Sequence, residues 1–149
     1  MSITLRPYNP ADWEQLRVIH DAARKIELRF AGLDDAFLPL DIAAEREDLF
    51  DYHLRVAELN GTVAGFAAFT EEEFAWLYVN PTLHRRGIGK ALVLGALAEM
   101  PTVRELEVLV GNTPARALYE SCGFRLEKTV SGVMPGNEGF PVTVWCMER

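Results

Sequence analysis

The 149-residue sequence predicts a single domain of mixed α/β fold, with a twisted sheet carrying helices on both faces. Three observations predict it. A long amphipathic helix follows a short first strand. An Asn60-Gly61 turn marks an antiparallel hairpin in the first half. Helices then separate strands in the second half, and such crossovers imply some parallel pairing.

The elements follow in order. "ITLRPY" reads as the first strand. Asn9 and Pro10 then make a helix start, a cap followed by a first-turn proline. Trp13, Leu16, Ile19, Ala23, Ile26 and Phe30 recur at helical spacing, and "AGLDDAFLPLD" breaks the run. "IAAEREDLF" predicts a shorter second helix. "LRVAELNGTVAGFAAF" is the hairpin, whose Asn-Gly pair supplies the positive φ angles of a type I′ turn. "EEEFAWLYVN" is the next strand, ended by Pro81, and a helix runs from the following glycines to about Met100. "VRELEVLV" is a strand, and Thr113-Pro114 caps a helix that Gly123 stops. "FRLEKTVSGV" and "PVTVWCM" close the chain as strands around a loop, "MPGNEG". The order is β-α-α-β-β-β-α-β-α-β-β over residues 1–149.

Composition narrows the function classes. Fifteen Lys and Arg stand against 22 Asp and Glu, a net charge of −7, which argues against nucleic acid or an anionic membrane as partner. No apolar run has the length of a membrane span, and "MSITLRPYNP" lacks a signal peptide's apolar stretch, so a cytoplasmic location is expected. Cys122 and Cys146 form neither a disulfide framework nor a metal spacing, and are expected as buried free thiols. His20 and His53 read as surface or helix-end residues, and no metal is expected.

Against this acidic background "HRRGIGKAL" gathers positive charge at a helix start. The first helical N–H groups have no internal partner, and the helix dipole adds positive potential there. Gly87 and Gly89 let a ligand approach the main chain, and Arg85, Arg86 and Lys90 add charge, a setting that suits a diphosphate. The same residues could instead form a solvated helix start. The run is no Walker A loop, because His84 and Ala91 stand where that loop needs Gly and Ser or Thr. Leu92 likewise breaks the dinucleotide fingerprint.

"LYVNPTLHRRGIGKAL" followed by "LEVLVGNTPARALYESCGF" resembles the GCN5-related N-acetyltransferase (GNAT) superfamily, with motif likeness to its bacterial ribosomal-protein N-terminal acetyltransferase branch. The resemblance implies a mostly antiparallel sheet of about seven strands. It implies an enzyme that moves acetyl from acetyl-CoA to a primary amine, of a small molecule or a peptide N-terminus, by direct attack. The alternative is a non-catalytic acyl-CoA-binding or regulatory domain. His84 departs from the family's Gln or Arg at that position. The family's diphosphate contacts come from main-chain amides, which here would be those of Arg85, Arg86, Gly87, Ile88, Gly89 and Lys90. The pantetheine arm would pair with the backbone of Leu77, Tyr78 and Val79, and Asn112 and Ala115 complete the cofactor set.

The resemblance also makes Tyr119 the proton donor to the departing thiolate, a role a protonated phenol can fill. Glu73 and Glu107 match the bases of two different branches, and Glu107 is narrowly favoured. Strand alternation puts Glu73 on the face of Ala75 and Leu77, and Glu107 on that of Glu105 and Leu109. Asp34, Asp35, Asp41 and Glu138 lie in the segments that the resemblance makes the bounds of the acceptor site; they fit a cationic acceptor, and a solvated acidic loop explains the same charges. A homodimer is a possible assembly.

Overall fold

The computed structural model describes residues 2–83 and 85–149. Strands β1 (Ile3–Pro7), β2 (His53–Leu59), β3 (Thr62–Phe69) and β4 (Phe74–Val79) form an antiparallel sheet in that order. Strands β5 (Glu105–Leu109), β6 (Arg125–Met134) and β7 (Asn137–Glu148) form a second antiparallel sheet, ordered β5-β7-β6. Four α-helices are described: α1 (Trp13–Phe30), α2 (Leu40–Arg46), α3 (Ile88–Glu99) and α4 (Thr113–Ser121).

The first turn after β1 is a 3₁₀ segment, Pro10–Asp12, held by a reciprocal cap between Asn9 and Asp12. Asp12 is buried and takes two bonds from Arg6, at 2.8 and 2.9 Å. That pairing holds its carboxyl below the usual range. Helix α1 then lays Leu16 and Ile19 on the inner face of the first sheet, where they meet Leu40 and Leu49. Helix α3 covers the opposite face with Ile88, Leu92, Val93 and Ala96. Each large apolar side chain sealed this way contributes roughly 1.5–3 kcal/mol. The Asn60-Gly61 turn has φ of 53° and 84°, as the sequence predicts.

Three expectations change. The parallel pairing shrinks to one bridge, Glu73 with Glu105, supported by Arg104 and Glu105 N–H groups on the Glu72 carbonyl. Beyond it β4 and β5 belong to different sheets. The cap of α4 is Asn112 rather than Thr113-Pro114, because its side-chain oxygen accepts from the Ala115 N–H. The last loop is also shorter. Met134 already pairs with Asn137, so only Pro135 and Gly136 turn, with Gly136 at φ 74°.

Candidate active site

The break between the sheets creates the site. On one edge β4 pairs with β3, and the Asn80 N–H continues that ladder to the Ala64 carbonyl. Strand alternation therefore turns the N–H groups of Leu77 and Val79 toward the other edge, where no partner strand runs among the described residues. Their side chains pack into the core below α3. Tyr78 faces the opposite way: its hydroxyl donates to Glu27 at 3.2 Å and its ring meets His20 edge-on, 4.6 Å between centroids. Burial, then the Glu27 charge, raises its pKa well above the usual phenol range.

At one end of this open edge lies the start of α3. Gly87 is its N-cap residue at φ 78°, and Arg85 also has positive φ, 60°. Arg85, Arg86 and Lys90 are exposed. A side chain at Gly87 would meet open space, so this position leaves room for a ligand against the main chain. Gly89 is also constrained by packing. A Cβ there would come within 3.2 Å of Leu118, so Gly89 lets α3 pack against α4. His84 lies outside the described residues.

Helix α4 forms the other wall. Asn112 is buried, caps the helix, and donates to Glu27 at 3.5 Å. Ala115 packs against the core. Tyr119 is 8% exposed, held edge-on by Phe74 and Phe124, and its hydroxyl bonds to none of the described residues. Burial raises its pKa far above that of free tyrosine, so the phenol stays protonated throughout the neutral range.

Across β4 and β5, on the α1 side, lie two adjoining cavities of about 160 and 460 Å³. Glu47, Ala75, Trp76, Glu107 and Pro135 line both. The β6–β7 turn roofs them and is fixed to the helices. Arg46 donates to the Gly136 carbonyl at 2.9 Å, and Asn137 to that of Ala36 at 3.0 Å. Inside the smaller cavity Glu27 is a hub, ion-paired to Arg24 and bonded by Tyr78 and Asn112.

The two sequence-named carboxylates meet here, though by a different geometry. A bulge between Ala68 and Phe69 leaves Ala75 without a β3 partner, so the alternation slips by one residue. Phe74 joins the core of Leu77, and Glu73 shares the larger cavity with Trp76. Glu107 lines both cavities. Burial raises the Glu73 carboxyl, and the charges of Glu107 and Glu105 add to it.

Other residues fall elsewhere. Asp34 and Asp35 border a separate surface hollow with Arg29 and Phe140, whereas Glu138 does line the larger cavity. Cys122 and Cys146 are free but only partly buried.

His20 corrects the expectation of a surface histidine. It is 2% exposed, bonded through Nδ1 to Asp21 at 2.9 Å, and burial lowers its pKa. With Arg24 and Glu27 it continues the stripe begun by Leu16, at steps of four, four and three residues. That polar interruption of an apolar stripe was the available signal for a cavity wall. Glu47 had no such signal: it ends a seven-residue helix whose place depends on the distant β6–β7 turn. Burial pushes its carboxyl up to about 7, with Glu138 and Glu27 adding and Arg24 opposing.

The sequence matches the acetyltransferase (GNAT) family over residues 13–124. The chain belongs to that family. It is an N-acetyltransferase that uses acetyl-CoA. No match was found among curated proteins. Similar solved structures include a ribosomal-protein-alanine N-acetyltransferase from Brucella melitensis, 23% identical, covering 98% of each chain with a TM-score of 0.72. PaiA N-acetyltransferase from Thermoplasma acidophilum, solved with coenzyme A, is 21% identical over 100% of this chain and 99% of that one, TM-score 0.70. YncA from Salmonella typhimurium, solved with acetyl-CoA, is 21% identical over 100% and 94%, TM-score 0.70. At these identities the likeness is one of fold.

Proposed function

We propose that this GNAT enzyme acetylates a cationic primary amine held in the paired cavities on the α1 side of β4. The divergence of β4 and β5 carries this proposal. One open edge runs from the α3 start toward the cavity wall formed by Tyr78. In this arrangement the amides that open α3, with Arg85, Arg86 and Lys90, hold the diphosphate of acetyl-CoA. The N–H groups of Leu77 and Val79 bond the pantetheine arm, and Asn112 and Ala115 border it on the α4 side. The Tyr119 hydroxyl donates to the sulfur as negative charge develops there. Its raised pKa makes it a durable hydrogen-bond donor and a reluctant proton source.

The amine must lose a proton before it attacks, and the cavity supplies carboxylates for that step. Of the two named from sequence, Glu107 is supported better than Glu73, because it borders both cavities. The excess of carboxylates over Arg24 and Arg46 favours a cationic acceptor. A cytoplasmic homodimer is part of the same proposal. No described helix is long and apolar enough to cross a membrane, and β6 leaves an exposed sheet edge for a second copy.

Acetyl-CoA should raise the melting temperature of the protein, by ~2.7 kcal/mol of stabilisation at a hundredfold excess over Kd. Gly87→Val should remove most of this shift, while Gly89→Val should lower the melting temperature even without ligand. Absence of a shift with the unaltered protein would refute the assignment of the diphosphate site.

A further inference from the structure

We propose that Glu47, at the end of α2, is the residue that takes the proton from the acceptor amine. The inference rests on the N-acetyltransferase reading above and assigns its deprotonation step to a group outside the family motifs.

Position comes first. Glu47 and Glu107 are the two carboxylates that border both cavities. Glu107 is exposed, whereas Glu47 is half-buried. The Glu47 carboxylate makes no hydrogen bond or ion pair within 4 Å among the described residues. Its stem lies against the β6–β7 turn, where a Cβ on Gly136 would come within 3.1 Å of Cγ. The Arg46 bond to the Gly136 carbonyl fixes the same junction. The group is therefore placed by packing and left open toward the acceptor.

The other polar groups of the cavities are committed or differently placed. From α1, Glu27 is bound by Arg24, Tyr78 and Asn112, and His20 is tied to Asp21. From β7, Glu138 accepts from the Gly136 N–H at 2.9 Å. Glu73 reaches only the larger cavity, with Tyr52 nearby.

Burial does most to raise the pKa of Glu47, Arg24 opposes it, and the charges of Glu138 and Glu27 raise it further. A carboxyl that titrates near neutrality is a better match for an ammonium than one near 4.5, and accepts its proton with less uphill work.

The step balances without another reactant. One N–H bond of the ammonium breaks, and its proton goes to a Glu47 oxygen. The freed lone pair forms the N–C bond to the acetyl carbon, and the C–S bond breaks with its electron pair going to sulfur. The second nitrogen proton ends on that sulfur, and Glu47 returns its proton to water.

The test follows thiol release from acetyl-CoA with n-propylamine, lysine and an alanine-initiated tripeptide as acceptors. With the unaltered enzyme, kcat/KM should rise with pH through an inflection near neutrality. Glu47→Gln should lose that inflection and fall roughly 10²-fold or more at pH 7, while Glu47→Asp recovers part of the rate. The acetyl-CoA melting shift should persist in both, which marks them as folded. In the unaltered protein, the carboxyl carbon of Glu47 should titrate near neutrality by NMR. Retention of the inflection in Glu47→Gln overturns the proposal, as does its loss in Glu107→Gln, Glu73→Gln or His20→Gln instead. A Glu47 carboxyl titrating at 4–5 also overturns it. Acetyl-CoA binding without thiol release from any acceptor overturns the transferase reading itself, and this assignment with it.

Discussion

The two sides of β4 are built from different materials. On the α3–α4 side the groups offered are backbone amides, exposed Arg85, Arg86 and Lys90, and a phenol that stays protonated at neutral pH. On the α1–α2 side they are half-buried carboxylates whose charge is set by burial and by each other. The phenol of the first side keeps its proton across the physiological range. The second changes charge within it. A transferase needs both, since the diphosphate it holds is always anionic while the amine must be deprotonated during the reaction.

On the α3–α4 side the largest expected effect comes at its chemical end. Tyr119→Phe keeps the ring against Phe74 and Phe124 and removes only the hydroxyl. The expected result is a fall in kcat of roughly 10²-fold with acetyl-CoA affinity unchanged. A Phe variant of equal activity would show that the thiolate leaves without this donor.

A smaller effect should come from the exposed cations. Replacing Arg85, Arg86 and Lys90 together by Ala should weaken acetyl-CoA binding about tenfold at low salt, and less at high salt, where exposed charges are screened. Calorimetry at two ionic strengths measures it. A loss independent of salt would mean these side chains act through packing.

The smallest effect sharpens the titrating side. Glu47 has a folded pKa raised above 4.5, so the folded protein binds the proton more tightly than the unfolded chain. Stability is therefore lost as pH rises from about 4.5 to about 7 and is level above that. Glu47→Gln removes this loss. The shift allows at most ~3 kcal/mol, and partial exposure reduces it to about 1 kcal/mol. The variant should melt ~2–4 °C higher than the unaltered protein at pH 8 and no higher at pH 4. Equal melting at both values would place Glu47 in contact with solvent.

The same division explains how much the sequence disclosed. The α3–α4 side is local: Leu77 to Lys90 and Asn112 to Tyr119 are short runs whose residue types state their geometry. Asn60-Gly61 and the apolar stripe of α1 were legible for the same reason. The titrating side is assembled from α1, α2, β4, β5 and the β6–β7 turn, which lie far apart in the chain. His20 was misjudged because its burial depends on Trp76 and Tyr78. Glu73 was assigned to the wrong face because one bulge at Ala75 reverses strand alternation, and no composition marks it. Gly89 carries a second constraint that its sequence does not show, the close packing of Leu118.

The unpaired edge of β4 also gives the molecule a built-in clock. An amide turned toward solvent trades its hydrogen for deuterium quickly, and one locked in a ladder waits for the sheet to open. Along β4 the two kinds alternate: Tyr78 lies within the β3 ladder, while Leu77 and Val79 point outward. Before ligand arrives the strand should exchange in a fast–slow–fast rhythm. An arm of coenzyme A bonded to that edge should slow the fast pair and leave the slow one as it was. The strand thus reports its own occupancy, residue by residue, before any acceptor amine is known.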